Sequence, residues 1–144
     1  NTPQLASGIA AFMGAQFMIL EWPIPDLIIP VPISLPHWFD RGYNQSMLIA
    51  ESLGNLLHVP VKEMLCRSSR DFSQAGLNVS QRKLLEADSF KIKGDPVSLQ
   101  DKTLLLIDDV FTTGSTVACC ASVLNSCFPD GIYTLTFGRA FLDY

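Results

Sequence analysis

The sequence predicts an α/β fold with a parallel central sheet and helices on both faces. Three observations predict it. Short aliphatic runs alternate along the chain with stretches of helical period, the pattern of strands joined by crossover helices. Two of those runs, "LIIP" and "LLLI", are apolar without alternation, as in strands buried on both faces. The 144 residues, 48% hydrophobic and 17% charged, suit a single globular domain over 1–144 with a real core.

Each element has its own signal. "GIAAFMGAQFMIL", Gly8 to Leu20, carries Ile9, Phe12, Met13, Phe17 and Leu20 at helical spacing. Thr2 and Pro3 supply a cap and a first turn, so an amphipathic helix over one face of the sheet is expected. The run is shorter than the roughly 20 residues of a membrane span and lacks a basic flank, which argues against a membrane segment or signal peptide. Asn1 in place of an initiator methionine reads as a piece of something longer.

"DLIIPVP", Asp26 to Pro32, is a short buried strand stopping at Pro30. A loop from Ile33 to Gln45 leads to a helix from Asn44 to His58, with Met47, Ala50, Leu53 and Leu57 on one stripe. Val59 to Leu65 reads as the next strand, with Pro60 near its start. From Arg67 to Asn78 the chain is polar and aperiodic. Asn78 and Gln81 have capping-box spacing, which starts a further helix. "SFKI" is a short strand before the turn "KGDP". A strand from Thr103 to Ile107, a helix from Ser115 to Cys127 and a last strand from Ile132 to Gly138 complete the order.

Composition narrows the function classes. A net charge of −4, with ten scattered lysines and arginines, gives no basic footprint for direct nucleic-acid binding. Cys66, Cys119, Cys120 and Cys127 contain no C-x-x-C pair, so neither a zinc ligand pair nor a disulfide framework is signalled. Free thiols in a reducing, cytoplasmic compartment are expected. His37 and His58 are not spaced as ligands, and Trp22 and Trp38 read as packing.

The chemistry concentrates in "LLLIDDVFTTGST", Leu104 to Thr116. A helix starting near Ser115 presents unpaired N–H groups and the positive end of its dipole. Gly114 lets the backbone approach a ligand and take a positive φ. Thr112, Thr113, Ser115 and Thr116 add hydroxyl donors, which together make a cradle for a phosphate monoester. The nucleotide P-loop pattern is absent. Asp108 and Asp109, at the strand end, would repel a phosphate they faced, so they suit neutral hydroxyls of the same ligand. Ribose 5-phosphate fits both halves. Neighbouring residues of an extended chain point to opposite faces, so the two acids need not do the same job. The plain alternative is a surface turn whose acids cap the next helix. An Asp pair alone would favour that alternative, but the full run is far more restrictive.

That run resembles the phosphoribosyl-pyrophosphate (PRPP) motif of type I phosphoribosyltransferases. Together with "VPV" after the first strand, "RGYNQ" (Arg41 to Gln45), "QAGL" with Arg82 downstream and the closing "GRA", it resembles the ComF family from about Ile29 to Arg139. The resemblance implies a small hood over the sheet, about 67–90. It places the 5-phosphate at Thr112, Thr113, Gly114, Ser115 and Thr116, and the ribose hydroxyls on Asp108 and Asp109. The loop after Val31 would meet the pyrophosphate, with Mg2+ shared between pyrophosphate and ribose and no protein metal site assigned. Arg41, as a catalytic residue, and Arg70 would be donors to the leaving pyrophosphate. The implied function is magnesium-dependent PRPP binding with phosphoribosyl transfer to an unassigned acceptor. A noncatalytic role in competence, serving DNA uptake through protein partners of the competence machinery, is the alternative.

Three departures from the family pattern stand out. The family's N-terminal zinc ribbon is not expected within these 144 residues. "ISLPHWFD" replaces the usual basic residues before "RGYNQ", and Leu85 stands where an asparagine is usual after Arg82.

Overall fold

A computed structural model describes residues 2–33, 42–68, 89–111 and 113–139. Its centre is β4 (Thr103–Phe111), flanked in parallel by β1 (Leu27–Pro30) and β5 (Gly131–Arg139). Side chains alternate strictly about this sheet. Ile28, Leu105, Ile107 and Leu135 join one apolar cluster, while Leu27, Ile29, Leu104 and Leu106 join another. Both faces are therefore covered, which explains the unbroken aliphatic runs.

The first face is covered by α1 (Thr2–Ile19) and α2 (Gln45–Leu57), which pack chiefly on each other. Ala6, Ile9, Ala10, Met13 and Phe17 form the buried stripe of α1. Two residues assigned to that stripe from the sequence are instead exposed. Phe12 points off the seam and meets Phe137 of β5 edge-on, with centroids 6.0 Å apart, and Leu20 lies past the helix end. The helix has no charged side chain and is apolar on two sides, so its periodicity alone could not select the buried one. Trp22 packs against Phe17 and Tyr133, as expected of a structural aromatic.

Helix α2 begins one residue later than the sequence suggests, because Asn44 is its cap. Asn44 has extended backbone angles and accepts the Ser46 N–H with its side chain. The helix stops at His58, whose φ of 55° turns the chain out of it. Ser46, Ile49, Ala50, Leu53 and Gly54 are buried, with Met47 and Leu57 only partly so. A Cβ on Gly54 would lie 2.5 Å from Val61 Cγ2 and 2.8 Å from the Val59 carbonyl, so glycine permits the close approach of the segment that follows.

That segment is not the strand expected from Val59 to Leu65. It makes a single parallel bridge, Val61 to Ile28, with Ile28 donating to the Pro60 carbonyl and Lys62 donating back to Ile28. Pro60 has no N–H to extend the ladder. The strand forms further on, as β2 (Leu65–Arg67), antiparallel to β3 (Phe90–Ile92). Of the hood expected over about 67–90 the structure describes only residues 67, 68, 89 and 90, at the ends of this ribbon; segment 69–88, with Arg82 and the helix expected after Asn78, lies outside the described residues. Leu65, Phe90 and Met64 pack on the second face of the sheet beside α3 (Ser115–Asn125). Leu99, from a 3-10 turn at Pro96–Leu99 capped by Asp95, fills the same cluster. Among the described residues no helix is long and apolar enough to cross a membrane.

Candidate functional site

Strands β1 and β4 part at the point where the acids begin. The β1 ladder ends at Pro30 opposite Ile107, and the Val31 N–H donates to the Ile107 carbonyl at 2.9 Å. Strand β5 instead follows β4 through to Phe111 opposite Arg139. The strand expected to end at Ile107 therefore continues, and Asp108 and Asp109 lie within it, beside the cleft that opens where β1 departs. Carboxyl ends of parallel strands are where such folds bind ligands. The pocket here, of about 190 Å³, is lined by Val31, Pro32, Ile33, Asn44, Ser46, Arg67, Asp108, Asp109 and Thr116, among others.

The two acids are placed differently. Asp108 is 9% exposed, and its Oδ1 accepts the Ser46 hydroxyl at 3.1 Å and the Asp109 N–H at 3.0 Å. Burial, reinforced by the negative charge of Asp109, raises its pKa from 3.8 to about 6. Asp109 is partly exposed, and its Oδ1 accepts the Val110 N–H at 2.9 Å.

Beyond β4 the chain turns sharply into α3. Gly114 is the N-cap, with φ 81° and no side chain of its own, and the Ser115 N–H donates to the Thr113 hydroxyl at 3.4 Å. A Cβ there would sit 2.6 Å from the Phe111 ring, so this turn folds tightly over its own strand end. Thr113 and Ser115 share a hydrogen bond between their hydroxyls at 3.0 Å, and Thr116 reaches the pocket lining. Cys120 lies on the buried side of α3, where burial lifts its thiol to about 12 and keeps it neutral. None of the four cysteines is in a disulfide.

The comparisons with known proteins point the same way. No family model matches the chain. It is 29% identical to "Competence protein F" of Haemophilus influenzae over 118 residues, covering 81% of this chain and 52% of that protein. It is 34% identical to "DNA utilization protein YhgH" of Shigella flexneri over 102 residues, 70% of this chain and 44% of the relative. Against "Competence protein ComFC" of Bacillus subtilis the identity is 33% over 91 residues, 63% of this chain and 35% of the relative. A purine phosphoribosyltransferase from Pyrococcus horikoshii shares the fold, with a TM-score of 0.54 at 15% identity, over 93% of this chain and 80% of that one. The chain is a ComF-type protein with the phosphoribosyltransferase fold. It spans about half the length of the first two of these relatives.

In this ComF-type chain the structure brings Val31, Asp108, Asp109 and Thr116 to one pocket, with Thr113, Gly114 and Ser115 in the turn just before Thr116. Arg41, Thr112 and Arg70 lie outside the described residues. Three lining residues were not singled out from the sequence. Asn44 and Ser46 lie three and five residues after Arg41, and the capping by Asn44 and the bond from Ser46 to Asp108 are legible only once α2 is placed. Arg67 sits on β2, its guanidinium 4.7 Å from the centre of the Phe90 ring and its Nε–H donating to the Pro32 carbonyl at 3.4 Å. A cation placed over an aromatic ring beside a pocket suits an anionic ligand. Among the described residues no group of three or more His, Cys, Asp or Glu side chains could hold a metal ion.

Proposed function

We propose that this ComF-type protein binds a ribose 5-phosphate unit, PRPP in particular, and transfers its phosphoribosyl group. One observation carries the reading. A nearly buried carboxylate, Asp108, has its Oδ1 engaged by two protein donors, and it lines the pocket beside a helix start whose N-cap is a glycine. An acceptor and an anion cradle side by side suit a ligand with hydroxyls at one end and phosphate at the other.

In this reading the N–H groups and hydroxyls of Thr113–Thr116, with Thr112, hold the 5-phosphate. Asp108 and Asp109 accept the ribose hydroxyls. Arg67 faces the pyrophosphate side. Arg41 and Arg70 are proposed as further donors there on the family resemblance alone. Magnesium would arrive as part of the substrate, since the described side chains form no cage for a resident ion and Mg2+ binds phosphates with few protein ligands. The four free thiols suit a cytoplasmic setting. The relatives' names favour a second reading, a noncatalytic role in handling DNA through protein partners.

Calorimetric titration tests the binding. Ribose 5-phosphate should bind at least tenfold more tightly than inorganic phosphate, and PRPP with magnesium more tightly still. Equal affinity for phosphate and ribose 5-phosphate would remove the role given to the acids. Pyrophosphate release from PRPP with candidate bases then separates the two readings, because binding without turnover supports the second.

A further inference from the structure

A hydroxyl from a distant part of the chain reaches the site. Ser46 is 4% exposed and donates to Asp108 Oδ1 across 62 residues of sequence. Its own position is fixed by Asn44, whose side chain accepts the Ser46 N–H at 3.1 Å and donates from Nδ2 to the Val31 carbonyl at 3.0 Å. A continuous set of hydrogen bonds thus ties the end of β1, through the start of α2, to the acid on β4. With two donors on one oxygen, the Asp108 carboxylate cannot rotate without breaking a bond.

We propose that Ser46 is the positioning residue for Asp108, clamping Oδ1 so that Oδ2 is presented to a sugar hydroxyl. The role rests on the ribose-phosphate reading above and adds what sets its discrimination for the sugar. Ser46 acts through Asp108 and leaves the phosphate cradle alone, since the cradle belongs to the turn before α3. The charged and titratable groups around Asp108 are few. Burial and the Asp109 carboxylate on its own strand disfavour its ionised form, while the Asp109 N–H and the Ser46 hydroxyl favour it. Arg67 of β2 lines the same pocket, and Cys120 of α3 is neutral. Helix α2 has no acidic residue in its first turn. Removing the hydroxyl therefore leaves the forces that protonate Asp108 less opposed.

The test uses wild type, Ser46→Ala and Ser46→Thr. In ligand-free protein, a carbon NMR titration of the Asp108 carboxyl should show Ser46→Ala moving its midpoint upward, with Ser46→Thr close to wild type. In binding experiments, Ser46→Ala should keep its affinity for inorganic phosphate and lose roughly tenfold for ribose 5-phosphate. The pH at which ribose 5-phosphate binding is half lost should rise with it. An unchanged Asp108 midpoint overturns the clamp. A shifted midpoint with unchanged ribose 5-phosphate affinity overturns its role in discrimination. If wild type shows no preference for ribose 5-phosphate over phosphate, the ligand reading and the discrimination fall together, whatever the NMR midpoint shows of the clamp.

Discussion

Gly114→Val should weaken binding of inorganic phosphate and PRPP roughly a hundredfold or more, the loss of two or more charge-assisted hydrogen bonds. At φ 81° the valine would sit where branched side chains strain the backbone by about 1–3 kcal/mol. Its Cβ would also meet the Phe111 ring at 2.6 Å, and that ring is overlaid by Arg139, 5.7 Å from its centre. Relief requires the turn to swing away from β4, which turns the first N–H groups of α3 from the pocket. Only the turn is strained, so the sheet should survive. A melting curve lowered by several degrees, with an unchanged far-ultraviolet spectrum, checks that. Tight phosphate binding by the valine variant would show that the anion sits elsewhere.

Asp108→Asn should make the ligand-free protein more stable at pH 7.5 while removing its preference for ribose 5-phosphate. Asp108 has a folded pKa of about 6 against 3.8 in the unfolded chain. Above pH 6 both states are ionised, and the folded one bears the whole cost of a charge out of water. As pH falls from 6 towards 4 the folded protein takes up a proton that the unfolded chain does not, and stability rises. Asparagine imitates the protonated acid and still accepts from Ser46 and the Asp109 N–H. The gain at pH 7.5 should be about 2–3 kcal/mol, or about 5–10 °C in melting temperature, and should disappear near pH 4. A lower melting point at pH 7.5 would mean that the carboxylate is stabilised in place. Such a group, retained at a cost to the fold, is what a binding role requires.

The parts of the molecule legible in the sequence were those written contiguously. The run from Leu104 to Thr116 contains a buried strand, two acids and a helix start, so its spacing alone placed the acids and the helix start together. The layered fold was legible for the same reason, since β1 and β4 are apolar on both faces. Where a residue's role depends on a partner far along the chain, the signal vanished. Ser46 means little until α2 is docked beside Asp108. Arg67 reads as the start of a polar loop until β2 pairs with β3 and sets it on Phe90. The misplaced strand at Val59 had a local cause, the proline that permits one bridge and no ladder. Phe12 was assigned to the core because a helix apolar on two sides offers no sign of which side faces inward.

The cradle and the clamp also belong to chain segments of different reach. Residues 103–139 supply β4, α3 and β5 in consecutive sequence, so the turn at Gly114 is built locally. The clamp on Asp108 closes only when Ser46 is brought across 62 residues, a long-range contact with its own entropic cost. Local opening of α2 would release Asp108 while the turn at Gly114 stays formed. If the proposed ribose 5-phosphate binding holds, its two recognitions would stand at separate stabilities, and as the protein loosens, selectivity for the sugar would be lost before affinity for phosphate.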